Sequence, residues 1–257
     1  MELKQAKAGE MTVRIFDTAE AAARAAALDT AEVLRSLNRS GKETGVIFAT
    51  GASQLKTLEA LTGFPELHWE QVCGFHMDEY VGIDSDHPAS FRRYLREHLV
   101  LRVPIGRFFP IDGSASDIEK VRRDYVDHLN EVNPQLCLLG IGENGHLAFN
   151  DPGEANFHDP EAMRVVTLDP VCRGQQLAEG WFKSIDEVPP QALTLTIPTL
   201  LKVPRLIISV PGARKAQSVR RAIEDPISTA CPATILRTHP GATVYLDQNS
   251  AADLSLS

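Results

Sequence analysis

Long apolar runs are missing from this sequence of 257 residues. No stretch approaches the roughly 20 apolar residues that a transmembrane helix needs, so we expect no membrane partner. The first residues, MELKQAKAGEMTVRIF, are polar and lack the apolar segment of a signal peptide, which predicts a cytoplasmic protein. Collagen-like and disordered classes are excluded as well, because 17 glycines and 16 prolines accompany 43% hydrophobic residues.

Cysteine is scarce, and basic charge is in deficit. The four cysteines show no CxxC or Cys/His finger spacing, so we expect reduced thiols and no metal site at Cys73, Cys137, Cys172 and Cys231. With 26 Lys and Arg against 34 Asp and Glu, the net charge of −8 disfavours nucleic acid as a partner. A local basic pocket for a small anion is compatible with this total.

Apolar runs typical of buried strands alternate along the chain with helical segments. The most regular are LCLLGI at 136–141 and RLIISV at 205–210, each followed directly by glycine-containing sequence. Other strands are predicted at 12–16, 45–49, 73–77 and 243–246, with helices near 18–38 (capped by Asp17), 54–61, 89–99, 116–130 and 213–224. The alternation predicts an α/β fold with a doubly wound, mostly parallel sheet flanked by helices, a modified Rossmann-like arrangement. We expect one domain over residues 1–257, with frayed tails at 1–10 and 248–257.

Polar residues follow two of these strands, at the edge where open α/β sheets bind their ligands. Asp78 and Glu79 come after strand 73–77, and adjacent acids there direct one carboxylate into the crevice and the other away. Asp78 is a candidate general base or metal ligand, with a solvated loop acid or helix cap as the alternative. After strand 136–141, His146 and Asp151 share a loop with the glycine-flanked Asn144, which favours a bent backbone close to a ligand.

Small and basic residues follow two further strands. Gly51, Ala52 and Ser53 precede a predicted helix, where free N–H groups and the helix dipole favour an anion. An ordinary turn capped by Ser53 is the alternative. Lys215, in the first turn after strand 205–210, opposes the helix dipole, which indicates an anionic partner. Arg173 is either a second cation for that anion or a solvated helix charge.

Several segments resemble one family in consistent order along nearly the whole chain. LGIGENGHLAFNDP at 139–152 resembles the signature LGIGxNGHIAFNEP of glucosamine-6-phosphate deaminases (isomerases). FHMDEYVGIDSDHPASFRRYL at 75–95 is similar to their FxxDEYVGLxxxHPxSFxxYL segment, and PATILRTHPGATVYLD at 232–247 to their PASILQLHPxVTVxLD ending. ATGAS at 49–53 takes the place of their phosphate loop, ATGSTP.

The resemblance implies a modified doubly wound fold and conversion of glucosamine 6-phosphate and water to fructose 6-phosphate and ammonia. Asp78 would move a proton from C2 to C1 through an enediol intermediate. His146 would assist opening of the sugar ring, oriented by Asn144 and Asp151.

The same resemblance implies that Gly51, Ala52, Ser53, Arg173 and Lys215 bind the substrate phosphate. It implies no metal and no organic cofactor, with a small amino-sugar phosphate as the partner. Members of the family range from monomers to hexamers, so a homo-oligomer is compatible with it.

Three departures from the family pattern stand out. Asp151 replaces the usual Glu, which shortens the carboxylate by one methylene. Ala52 and Gln54 replace a hydroxyl residue and a proline of the phosphate loop. The segment 153–164 lacks the basic pattern of the allosteric members, so activation by an amino sugar is not expected.

Three alternatives compete with this interpretation. A 6-phosphogluconolactonase shares the GxGxxGH loop but typically continues as GHTASLFP and has a DER-type segment, so FNDP and DEYVG favour the deaminase. A galactosamine-6-phosphate deaminase would use the same chemistry, and Asp151 keeps that alternative open. A non-catalytic sugar-phosphate-binding protein is disfavoured because Asp78 and His146 are both present.

Overall fold

The computed structural model describes residues 1–39, 41–168, 173–174, 176–177 and 180–255. Its large sheet is parallel except for one edge strand, β1, which runs antiparallel to β2. Within the described residues this sheet has eight strands in the order β1 (Glu2–Ala8), β2 (Met11–Phe16), β11 (Ala242–Asp247), β10 (Arg205–Val210), β7 (Leu136–Leu139), β3 (Thr44–Phe48), β4 (Val72–His76) and β6 (Arg107–Phe108). The predicted α/β fold with a mostly parallel sheet is confirmed.

A second, small antiparallel sheet lies beyond the carboxyl end of β4. It consists of β5 (Asp78–Tyr80), β9 (Gln191–Leu195) and β8 (Met163–Thr167), in that order. Asp78 is paired with Thr194, a residue far away in the chain. The alternative of a solvated loop acid at Asp78 is therefore wrong, because Asp78 is buried in β5, a strand that exists only through this distant pairing.

The helices cover the large sheet and begin near its carboxyl edge. They are α1 (Ala19–Asn38), α2 (Ala52–Thr62), α3 (Phe91–Leu95), α4 (Ile118–Val132), α5 (Ile197–Leu201) and α6 (Ala216–Glu224), with a π-helical turn at Arg96–Val100 after α3. The cap of α1 is Thr18, whose hydroxyl accepts a hydrogen bond from the Ala21 amide at 3.1 Å. Asp17, the predicted cap, instead pairs with the amino terminus at Met1.

Both predicted tails are ordered over their described residues, so the expectation of fraying is wrong. β1 pairs with β2, and the Arg14 guanidinium on β2 binds the Glu2 carboxylate at 2.8 and 2.9 Å. At the other end, the Ser250 amide donates to Asp247 at 2.8 Å, and the Ser255 amide donates to Glu224 at 2.6 Å. These contacts tie residues 2–8 and 248–255 to the sheet and to α6.

Three of the four cysteines can be placed in this fold. Cys73 on β4, Cys137 on β7 and Cys231 are buried free thiols, and Cys172 lies outside the described residues. Burial raises the pKa of all three placed thiols, so they remain protonated at neutral pH. We therefore treat them as packing residues.

Three neighbouring central strands bring the candidate site together. β3 and β7 are buried along their whole length, and β10 is buried after its first residue. They lie side by side and run in the same direction, so the segments that follow them meet at one edge of the sheet. Among the described residues, no helix is both long and apolar enough to cross a bilayer.

Candidate active site

A cavity of about 460 Å³ opens at this edge of the sheet. The segments after β3, β7 and β10 line it together with the residues after β4. Six of the predicted site residues contribute to its wall: Gly51, Ala52, Ser53, Asp78, His146 and Lys215. The sequence-based grouping of four strand ends therefore corresponds to one cavity.

Asn144 and Asp151 lie behind the imidazole of His146. The His146 Nδ1 atom is 2.9 Å from Asn144 Oδ1 and 3.1 Å from Asp151 Oδ1. The Asn144 amide group donates to Asp151 Oδ1 at 2.7 Å, which orients the Asn144 oxygen toward the ring. Because Nδ1 faces two acceptor oxygens, it carries the ring proton, and Nε2 presents a lone pair when the imidazole is neutral.

Two glycines make room for this arrangement. A Cβ atom on Gly142 would lie 2.2 to 2.4 Å from three ring atoms of His146, so the imidazole occupies the space of a side chain. Gly145 has a φ of +90°, and a Cβ atom there would lie 2.4 Å from Cys231 Sγ. Gly142 thus leaves room for the His146 ring and Gly145 leaves room for Cys231, in line with the bent backbone predicted for this loop.

Asp78 presents an unpaired carboxylate oxygen inside the protein. The residue is 6% exposed, and among the described residues nothing hydrogen-bonds its Oδ1 atom. Burial raises the pKa of Asp78 well above its ordinary value, and the neighbouring Glu79 charge raises it further. Glu79 is absent from the cavity wall, so the two acids do point in different directions. A carboxylate that is desolvated and unpaired is a stronger base than one in water.

A buried histidine and a buried tyrosine hold the strand end just before Asp78. The Tyr125 hydroxyl accepts from the His76 amide at 2.8 Å and donates to the His76 carbonyl. The His76 Nε2 atom accepts from the Ile111 amide at 2.7 Å, and burial lowers the pKa of His76 to about 3. His76 is therefore a neutral structural residue. Sequence analysis missed both residues, because neither lies in a segment that follows a strand.

Two glycine turns at the cavity share one unusual backbone conformation. Gly51 (φ 92°, ψ 172°) precedes α2, and Gly212 (φ 93°, ψ 152°) precedes the short turn Ala213–Lys215 that leads into α6. This region of φ and ψ is essentially restricted to glycine and concentrates at functional sites. Ala52 and Ser53 line the cavity after the first turn, and Lys215 lines it after the second. Backbone N–H groups at a helix start, together with an ammonium group, form a site suited to a phosphate.

Comparison with known proteins assigns the family. The model of the family described as "Glucosamine-6-phosphate isomerases/6-phosphogluconolactonase" matches residues 17–245. A glucosamine-6-phosphate deaminase of Arthrobacter sp. is 34% identical over 233 residues, which cover 88% of each chain. Another, from Oenococcus oeni, is 34% identical over 208 residues, 80% of this chain and 85% of the relative. This chain belongs to that family.

Solved structures of the family agree with the sequence comparison. The structure of a monomeric glucosamine-6-phosphate deaminase matches with a TM-score of 0.85 at 32% identity, covering 94% of this chain and 99% of that one. A 6-phosphogluconolactonase from Trypanosoma brucei matches with a TM-score of 0.78 at 21% identity, covering 95% and 98%. The second likeness concerns the fold alone.

Gln54, which departs from the family pattern, has a buried side chain with several polar neighbours. Its side chain is 1% exposed, and its Nε2 atom lies within hydrogen-bonding distance of the Ser53 hydroxyl, the Ser209 carbonyl and the Leu139 carbonyl, at 3.2, 3.2 and 3.4 Å. One amide thus links the turn at 51–53 to the ends of β7 and β10. Where the family pattern has a stiff proline, this chain uses a buried hydrogen-bonding residue.

Arg173 is absent from the described residues that line the cavity, and its role in binding the phosphate stays a prediction. Its guanidinium donates to the carbonyl oxygens of Ile185 and Val188, the latter at 2.9 Å. A guanidinium group carries only hydrogen-bond donors, and these two backbone carbonyl groups act as its acceptors. Arg214 does line the cavity, where it pairs with Glu143 at 2.7 Å. The sequence showed Arg214 beside Lys215, but nothing in the pattern separated their roles.

We predict that Gly142→Ala lowers activity about 100-fold while the protein stays folded, because the new methyl group displaces the His146 ring by about 1 Å. The measurement is the rate of ammonia release, with circular dichroism as the check on folding. Gly153→Ala is the matched control, since a Cβ atom at Gly153 meets no atom within 4 Å. Equal activity of the two variants would show that the close approach of the ring to Gly142 is irrelevant to catalysis.

Proposed function

We infer that this protein is a glucosamine-6-phosphate deaminase, which converts glucosamine 6-phosphate and water to fructose 6-phosphate and ammonia. The observation that carries the inference is the shared cavity of Asp78 and His146. Asp78 offers an unpaired, buried carboxylate oxygen, and His146 is oriented by an amide and a second carboxylate. The deaminase relatives support the substrate class.

In the proposed reaction, the two glycine turns hold the phosphate. Gly51, Ala52 and Ser53 supply small residues and backbone N–H groups at the start of α2, and Lys215 supplies positive charge from the opposite turn. Phosphate binding at these turns provides binding energy remote from the reacting atoms. That energy holds C1 and C2 of the sugar at the other end of the cavity.

His146 would open the sugar ring. Its protonated Nδ1 is directed to Asn144 and Asp151, which leaves Nε2 to exchange a proton with the substrate. Ring opening removes the proton from the C1 hydroxyl, breaks the bond between C1 and the ring oxygen, and places a proton on that oxygen. The product is the open-chain aldehyde, in which the C2 proton is acidic.

Asp78 would then act as the general base. Its carboxylate takes the proton from C2 while the C1 carbonyl oxygen gains a proton from water, which gives the 2-amino form of the enediol. The same carboxyl group returns its proton to C1 and leaves a protonated imine at C2. Water adds to the carbon of this iminium, the extra proton returns to the solvent, and ammonia departs, giving fructose 6-phosphate. No metal or organic cofactor enters these steps, and we propose a cytoplasmic location for such an enzyme.

The test is ammonia release by the purified protein from glucosamine 6-phosphate, galactosamine 6-phosphate and N-acetylglucosamine 6-phosphate in parallel. We expect fast release from the first alone. Release chiefly from galactosamine 6-phosphate would keep the chemistry and change the substrate. No release from any of the three, together with hydrolysis of 6-phosphogluconolactone, would replace the proposed function by that of the lactonase.

Asp78→Asn is predicted to abolish turnover and to stabilise the fold. Because the folded-state pKa of Asp78 is raised, the wild-type protein loses stability as the pH rises from the ordinary carboxyl pKa of 3.8 through the folded value. The carboxamide of the variant does not ionise, so the melting temperature of the variant should exceed that of the wild type by a few degrees at about pH 8 and by less at about pH 5. Asp127→Asn, on the exposed face of α4, is the control. Retention of more than a small share of the activity would refute the assignment of the base.

Asp151→Glu, which restores the usual family residue, is predicted to lower kcat by about tenfold or more. Asp151 is 3% exposed and already lies 3.1 Å from His146 Nδ1, so an added methylene must displace the ring or the loop. Steady-state kinetics with glucosamine 6-phosphate measure the effect, with Asp151→Asn separating the loss of charge from the change in length. A higher kcat for the glutamate variant would mean that the short acid limits this enzyme.

A further inference from the structure

The short helix α3 is hydrogen-bonded both to the Gly51 turn and to Glu79, the residue next to Asp78. α3 lies next to the cavity, and the Tyr94 hydroxyl on it donates a hydrogen bond to the Gly51 carbonyl at 3.0 Å. That carbonyl belongs to the first glycine turn, where it also accepts from the Gln54 amide at 3.0 Å. Tyr94 thus connects α3 to the turn that is proposed to hold the phosphate.

The other end of α3 is connected to the residue next to the base. The Glu79 carboxylate is fully buried and accepts hydrogen bonds from the Ser90 hydroxyl at 2.8 Å, the Arg92 amide at 3.0 Å and the Phe91 amide at 3.2 Å. It also accepts from the amide of Tyr80 at 3.0 Å within its own strand. Glu79 therefore fixes the start of α3 against β5, the strand that carries Asp78.

We propose that α3 is a spacer that sets the separation between the phosphate turn and the base, with Tyr94 and Glu79 as its positioning residues. The inference rests on the proposed function. Ser90 and Tyr94 are one helical turn apart, and a hydrogen-bonded turn keeps its length of about 5.4 Å far better than a loop does. The phosphate at C6 and the proton at C2 are separated by a fixed number of bonds, so the two protein groups must keep a matching separation.

Neither positioning residue touches the substrate in this scheme. Tyr94 and Glu79 are absent from the cavity wall, whereas Gly51 and Asp78 belong to it. Removing either residue should therefore change the position of C2 relative to the Asp78 carboxylate, and it should not change the affinity of the turn for phosphate. The turn keeps its bond from the Gln54 amide when the Tyr94 hydroxyl is removed.

Tyr94→Phe tests the spacer at its phosphate end. We expect kcat for glucosamine 6-phosphate to fall roughly tenfold, because a misplacement of well under 1 Å has that effect. The inhibition constant of inorganic phosphate should change less than about twofold, since the turn remains intact. Tyr245→Phe is the matched control: it removes a tyrosine hydroxyl that bonds Asp29, and Tyr245 is absent from the cavity wall. An unchanged kcat, or a weakened phosphate affinity with unchanged kcat, would overturn the proposal.

A double-mutant cycle tests whether the two ends act as one unit. Ser90→Ala removes a bond to Glu79 and the cap of α3, and Thr18→Ala removes a comparable cap from α1 as the control. Once either end of the spacer is released, releasing the other should add less than about a twofold loss of kcat. Multiplicative losses in the double variant would contradict a single spacer. If Ser90→Ala fails to fold, the split between kcat and phosphate inhibition in Tyr94→Phe decides alone.

The wild-type assay separates this inference from the proposed function. If the wild type releases no ammonia from glucosamine 6-phosphate, the proposed function fails before any variant is made. If the wild type is active and Tyr94→Phe behaves like Tyr245→Phe, the function stands and the spacer is wrong.

Discussion

Burial of two adjacent carboxyl groups is the constraint on which the site depends. Burial raises the pKa of both Asp78 and Glu79, so each is unfavourable in its ionised form. The fold offsets this cost at Glu79 alone, with four hydrogen bonds and the Arg92 guanidinium 3.4 Å away. Asp78 receives no such compensation at Oδ1 from the described residues. The unfavourable solvation is thus concentrated at the atom that is proposed to take up a proton.

The parallel sheet explains why the proposed phosphate site and the proposed proton-transfer site can share one cavity. β3, β7 and β10 are neighbours, so the Gly51 turn, the His146 loop and the Gly212 turn emerge side by side. Gly51 and Gly212 have similar φ and ψ values, and the turns that they begin line the same cavity. The histidine loop lies between them because β7 lies between β3 and β10. In the proposed reaction, a ligand anchored by its phosphate at these turns lies in the same cavity as His146 and Asp78.

Sequence patterns predicted the parts of this structure that depend on local burial. Strand 205–210 has the predicted bounds, because a strand buried on both faces is a continuous apolar run. The small sheet, the ordered amino-terminal arm and the contacts of Arg173 were missed, since each depends on partners far along the chain, such as Thr194 for Asp78. The roles of Asp78 and His146 came from family resemblance. Residue spacing alone left Asp78 as a base, a metal ligand or a cap.

The short acid at position 151 follows a tight, anchored turn. Ala148 has a φ of 50°, a conformation that residues with a side chain rarely adopt, and it lies in a tight turn closed by the Asn150 amide and the Leu147 carbonyl at 3.0 Å. Asn150 further anchors the loop by donating to the Leu195 carbonyl at 2.9 Å. Asp151 follows this turn directly, and its carboxylate lies 3.1 Å from His146 Nδ1. The strained residue Ala148 therefore lies in the same short loop as the carboxylate–imidazole pair, where strain of this kind is commonly found.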